Sequence, residues 1–154
     1  MLRRLLERFN EDPVSILHSS EAELMSVKGV GQKAKSSIRG WRDGNWLELE
    51  RGRIAKHGAR FMTVEDGDYP QALLETFDPP IGLYCQGTPP SEPCVAIVGT
   101  RQPTLYGQNM ARRIASGLAN SGFCVVSGMA RGIDAAAHEG ALEASGRTVA
   151  VFGC

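Results

Sequence analysis

Two glycine turns in the C-terminal half of the chain carry the groups best suited to hold an anion. In "VAIVGTRQPTLYG", Gly99, Thr100 and Arg101 follow a valine-containing apolar run. Gly99 lets backbone approach a ligand, Thr100 offers a hydroxyl and a backbone N–H, and Arg101 offers a guanidinium fork that matches phosphate oxygens. The helix expected after this turn aims its N-terminal N–H groups at the same place. In "SGMARGIDAAAHEGALEASGRT", Ser127 and Gly128 end a second apolar run, and Arg131 and Gly132 lie just beyond them. Asp134 falls in the first turn of the next helix, where the dipole favours a carboxylate. Gly128 and Gly132 are expected to admit a ligand, and the alanines from Ala136 to Ala144 to let the helix pack closely on a sheet. The plainer reading of the first turn is a tight turn with a surface arginine. The first turn has neither the G-x-G-x-x-G nor the P-loop spacing, so neither NAD nor ATP is indicated and no cofactor is expected.

Asp134 and His138 are four residues apart and share a helix face. They could form an acid/base pair, but a polar clasp that fixes the helix is the favoured reading, since such pairs are usually structural. No serine or cysteine nucleophile is visibly paired with His138. A third candidate lies near the N-terminus, in "ELMSVKGVGQKAKSSIRGW". A helix, the turn Lys28-Gly29-Val30-Gly31 and a second helix have the form of a helix-hairpin-helix. Its backbone N–H groups meet a nucleic-acid phosphate without reading bases. Lys28, Lys33, Lys35 and Arg39 add local positive charge, although a helical packing module without a ligand fits the same residues. Cys85, Cys94, Cys124 and Cys154 are not at zinc-ligand spacing, so no metal site is expected.

These residues need elements to position them. Residues 1–58 read as a helical leader: Asp12 caps a helix begun by Pro13, Ser20 and Glu23 form a capping box, and "NWLELERGRIAKHG" stops at Gly58. Residues 59–92 read as a connecting segment, with "RFMTV" and "IGLYC" extended around a proline-broken stretch. Residues 93–154 hold "CVAIVG", "FCVVSG" and "TVAVFG", short apolar runs that suit strands buried on both faces of a parallel sheet. Two stretches of helical spacing separate them: Gly107, Met110, Ala111, Ile114, Ala115 and Leu118, then Ile133, Ala136, Ala137, Gly140, Ala141 and Ala144. The order β-α-β-α-β is the doubly wound pattern. With neighbouring strands paired in sequence, right-handed crossovers put both helices on one face and leave the other open unless residues 60–90 cover it.

The chain has 154 residues with 17 basic and 17 acidic side chains, so global charge does not advertise a polyanion partner and any such site must be local. No apolar run approaches the roughly 20 residues of a membrane helix, and "MLRRLLERFN" reads as a helix, not a signal peptide. Cysteines embedded in apolar runs fit a reducing cytoplasm.

Three ordered motifs, "DYPQALLETFDPPIGLYCQG", "VAIVGTRQPTLYG" and "SGMARGIDAAAHEGALEASGRTVAVFG", resemble the bacterial DNA-processing protein A (DprA/Smf) family. The resemblance is strong over residues 60–154 and looser over the leader. It implies an α/β fold: a helical leader, helix-hairpin-helix or sterile-alpha-motif-like, followed by a partial Rossmann-like parallel sheet truncated after its third strand. It implies a cytoplasmic single-stranded DNA-binding protein of natural transformation and recombination that helps load the RecA recombinase, forms a homodimer when complete, and is not an enzyme. Carried onto this sequence, the DNA-binding residues are Gly99, Thr100, Arg101, Ser127, Gly128 and Arg131, with Lys28, Gly29, Gly31 and Lys33 as leader contacts. Family members continue past the third strand with further strands, a second basic motif and a dimerisation surface. The chain ending at Cys154 is therefore expected to be a fragment or a truncated reading frame.

Two other readings compete. A nucleotide-processing phosphoribohydrolase would also use glycine-rich turns on phosphate, but it wants a glycine-rich turn with its catalytic glutamate later in the chain, and no such motif is present before Cys154. A protein-interaction piece would use the helical leader as its surface.

Overall fold

A computed structural model describes residues Met1–Gly153. The chain divides into two compact units, Met1–Gly87 and a second that begins at Thr88.

The first unit opens with helices α1 (Leu2–Arg8), α2 (Pro13–His18), α3 (Glu21–Ser26), α4 (Gln32–Arg39) and α5 (Trp46–Lys56). Their starts follow the local rules. The Asp12 carboxylate accepts from the N–H groups of Val14 (2.9 Å) and Ser15 (3.1 Å). The Ser20 Oγ accepts from Glu23 N–H (3.3 Å), while the Glu23 carboxylate accepts from Ser20 N–H (2.8 Å). Each cap satisfies donors the helix cannot. Leu5, Ile16, Leu24, Val27 and Val30 form the buried core of this bundle.

Two strands, β1 (Ala59–Thr63) and β2 (Gly82–Gln86), flank the one-turn helix α6 (Gln71–Leu74). They pair antiparallel, Phe61 opposite Tyr84, with ring centroids 5.1 Å apart. The Phe61 ring lies over Gly82, where any side chain would collide with it. The Tyr69 hydroxyl donates to the Pro80 carbonyl (2.6 Å), tying the two ends of the intervening loop. Residues 59–87 belong to the same compact unit as the helices, held by strand pairing and by the packing of α5 on β1.

The second unit is a three-stranded parallel sheet in the order β3 (Cys94–Ala96), β4 (Cys124–Ser127), β5 (Thr148–Ala150), with α7 (Leu105–Asn120) and α8 (Ile133–Glu143) as crossovers. Backbone bonds from Ile97 N–H to the Val126 carbonyl (3.0 Å) and from Val151 N–H to the Ser127 carbonyl (2.8 Å) carry the ladders one step further. Val125 packs with Ala115 of α7 and with Ala137 and Ala141 of α8, so both helices cover one face of the sheet. Along β3 and beyond it, Val95 and Ile97 are half-buried while Ala96 and Val98 are exposed, the period of two of a one-sided strand. Ile114, expected on the packed face of α7, is exposed.

The small residues of α8 and of the turn that follows it serve α7 as much as the sheet. A Cβ at Gly140 would collide with the carbonyl oxygen of Arg112, and one at Gly146 would collide with Ala119. Arg112 then reaches across the seam to the carboxylates of Glu139 and Glu143.

Candidate nucleic-acid interface

Parallel pairing of β3 with β4 brings their C-terminal turns to one edge of the sheet, where doubly wound folds bind ligands. Several bonds lock the two turns together. Ile133 N–H donates to the Thr100 carbonyl (3.2 Å). The Ser127 hydroxyl donates to the Ile97 carbonyl (2.6 Å). The buried Asp134 carboxylate accepts from the N–H groups of Gly99 (3.3 Å), Gly128 (3.2 Å) and Ala130 (3.4 Å).

The glycines here let the chain pack closely on itself. A Cβ at Gly99 would lie 2.7 Å from Ile133 Cγ1, and one at Gly128 would lie 2.9 Å from Asp134 Oδ2. Gly132 has φ +95° and no room for a Cβ, which would collide with the Thr100 carbonyl oxygen. At Gly99, Gly128 and Gly132 the chain packs on itself in the space a Cβ would take. Their missing side chains are filled from within, because three chain segments converge at this edge.

Other groups face outward. Thr100, Arg101, Met129 and Arg131 are exposed. The N–H groups of Thr100, Arg101 and Met129 have no partner among the described residues. Thr100 Oγ1 accepts from Gln102 N–H (3.2 Å), which shapes the turn. At the start of α7, Thr104 Oγ1 caps Gly107 N–H (3.1 Å), while the N–H groups of Leu105 and Tyr106 in the same turn have no intrahelical acceptor. Of the six residues predicted here, Gly99, Thr100, Arg101 and Arg131 are exposed, Gly128 is half-buried, and Ser127 is buried with its hydroxyl proton engaged.

Two residues of this edge were not singled out from the sequence. Tyr106 is 74% exposed in the first turn of α7. Its absence from the apolar spacing of that helix was the available signal. Met129 holds φ +59°, an uncommon backbone conformation for a side chain of its kind, and it too points to solvent. Nothing local to the sequence announces that conformation.

Asp134 and His138 are both buried on α8, but each bonds a different element. His138 Nδ1 lies 2.7 Å from Thr148 Oγ1, whose proton goes to the Val125 carbonyl (2.7 Å). Thr148 has no second proton, so Nδ1–H is the donor and Nε2 keeps its lone pair, buried without a partner among the described residues. Burial pushes the His138 pKa below the usual histidine value, opposed by the nearby Asp134 charge. The clasp therefore runs from α8 to the turns and the sheet.

In the first unit the hairpin forms as expected. Val30 N–H donates to the Val27 carbonyl (3.0 Å), and Gly29, at φ +98°, makes the turn that needs a glycine. Lys28, Gly29, Gly31 and Lys33 are exposed, and Gly31 is the N-cap residue of α4. Lys35 is held by Glu21 (2.7 Å) and Arg39 by the Ser19 carbonyl (3.0 Å), which leaves Lys28 and Lys33 as the free cations of this turn among the described residues.

A model of the DNA recombination-mediator protein A family matches residues 60–154. The chain belongs to this family. Protein Smf of Synechocystis sp. is 38% identical over 160 residues, covering 99% of this chain and 40% of its own length. DNA processing protein DprA of Streptococcus pneumoniae is 34% identical over 112 residues, covering 70% of this chain and 39% of its own. The chain thus spans about two fifths of the length of these two relatives. The X-ray structure of DNA processing protein A from Streptococcus pneumoniae matches with a TM-score of 0.61 over 98% of this chain and 51% of that one, at 22% identity, which shows the shared fold. Among the described residues no helix is long and apolar enough to cross a membrane.

Proposed function

We propose that this chain binds single-stranded DNA along the outer edge of the β3–α7 and β4–α8 turns. The observation that carries the reading is the exposed Thr100–Arg101 pair at the C-terminal end of a parallel sheet, with two backbone N–H groups and a guanidinium unpaired among the described residues. That donor set suits a phosphate and carries no base identity, so sequence preference is expected to be weak. Phosphate contacts alone do not separate single strands from duplex. Tyr106 supplies the discrimination, because an exposed aromatic ring stacks on bases that a duplex keeps stacked on one another. Relatives named for DNA processing and recombination mediation support DNA as the polymer. A binding role, not turnover, is supported by the engagement of Asp134, His138 and Ser127 in internal bonds. Delivery of the strand to RecA and assembly into a homodimer rest on the family resemblance.

The test is fluorescence anisotropy of labelled oligo-dT at several salt concentrations, with duplex as comparison. Arg101→Ala is expected to weaken binding to all sequences alike and to lower the salt slope by about 0.7, the value for one phosphate neutralised on a single strand. Tyr106→Ala is expected to cost about 1–3 kcal/mol on single strands while leaving the salt slope unchanged. Wild-type affinity and slope in Arg101→Ala would overturn the assignment. The RecA step is read separately, by whether the chain speeds RecA assembly on the same oligonucleotide.

A further inference from the structure

The carboxylate of Asp134 is surrounded by backbone donors. Its two oxygens collect N–H groups from both turns, Gly99 on one side and Gly128 and Ala130 on the other. Among the described residues, no lysine or arginine shares them. Convergent backbone N–H groups of this kind form anion-binding concavities. Here the protein's own anion occupies the concavity. Two consequences follow for any phosphate that arrives. The N–H groups of Gly99 and Gly128 are already used, so a phosphate must sit further out, against Thr100, Arg101 and Met129. The relative placement of those outer groups also depends on the one carboxylate both turns share.

We infer that Asp134 is a positioning residue for the DNA site: an internal anion that sets the β3–α7 turn against the β4–α8 turn so that they present one phosphate-binding surface. The tight contacts around it agree. Gly128 leaves the space the carboxylate occupies, and Gly132 lets the Thr100 carbonyl approach the start of α8. The bonds measure 3.2–3.4 Å, longer than the roughly 2.7–2.9 Å usual for charge-assisted pairs. The carboxylate is spread over three donors and belongs to no single one. The DNA half of this inference rests on the proposed function, whereas the positioning half stands on the geometry.

Asp134→Asn separates them, because the amide keeps the shape but turns an N–H₂ toward backbone donors. In the full chain, hydrogen–deuterium exchange is expected to quicken in residues 98–103 and 127–132 while the middle of α7 stays protected. Single-strand affinity is expected to fall about tenfold or more, with the salt slope dropping as it does in Arg101→Ala. The double variant is expected to bind no more weakly than Arg101→Ala alone, as coupled groups do. A merely structural residue would lower the melting temperature but leave the slope of the folded protein unchanged. Gly128→Ala, whose Cβ presses on Asp134 Oδ2, provides a second route to the same result if Asp134→Asn fails to fold. Unchanged exchange in both turns would overturn the positioning role. Loosened turns with an unchanged slope, or strictly additive losses, would overturn its link to DNA. A wild-type chain that shows no salt-sensitive binding would sink the DNA reading, and the exchange data would still decide the positioning role.

Discussion

Replacing Gly140 with alanine tests how closely α7 and α8 approach. In an isolated helix the change would stabilise by about 1 kcal/mol, since alanine is the better helix former. At Gly140 the new Cβ would collide with the Arg112 carbonyl oxygen and lie 2.8 Å from both the carbonyl carbon and Cα of Arg112. Unstrained carbon contacts need about 3.5–4.0 Å, so α7 would have to retreat by roughly 1 Å. These are backbone atoms of a long helix, and no side-chain rotation relieves them. Overpacking of this kind costs about 1–3 kcal/mol, and the rigid neighbour argues for the upper end. Set against the propensity gain, the net expectation is a loss of about 2 kcal/mol. Gly117 is the matched control: it lies within α7, and a Cβ there meets nothing within 4 Å. Gly117→Ala should therefore gain up to about 1 kcal/mol. Urea titration of the two variants beside the wild type measures both signs. If Gly140→Ala proves as stable as Gly117→Ala, the close helix seam is wrong and with it the placement of α8 that carries Asp134.

Two further outcomes concern buried groups. Burial lowers the His138 pKa in the folded chain, so the unfolded chain takes up the proton first. Stability should then fall as pH drops below the ordinary histidine value of about 6.5, and Asn or Gln at position 138 should flatten that part of the profile; an equally steep fall in both variants would count against it. Burial also pushes the Cys124 thiol up to about 11, whereas Cys94, its register partner across β3–β4, is exposed. Iodoacetamide at pH 8 should label Cys94 and spare Cys124 in the folded chain, as read by peptide mass spectrometry; rapid labelling of Cys124 would contradict the packing of β4.

Much of the molecule was decided within a few residues of itself. The Asp12–Pro13 and Ser20–Glu23 caps, the glycine stop at Gly58 and the hairpin at Gly29 depend on bonds that span at most four positions, so residue type and spacing suffice. The three valine-rich runs and the helical stretches between them led to the parallel sheet for the same reason, since period and order are local properties. The chemistry of Thr100 and Arg101 was legible because a hydroxyl and a guanidinium keep their character wherever they sit.

The use made of the glycines was decided only in three dimensions. A glycine looks the same in sequence whether a ligand or the chain itself fills its empty side, and at Gly99, Gly128 and Gly132 the chain fills it. Asp134 reads as an ordinary first-turn acid until Gly99, 35 positions away, is placed beside it. Ser127 reads as a site hydroxyl until pairing of β3 with β4 turns it onto the Ile97 carbonyl. His138 finds Thr148 only because α8 lies across the sheet. Each of these outcomes depends on which distant segment arrives at a given point. That is fixed by the packing of whole elements, and no local spacing encodes it.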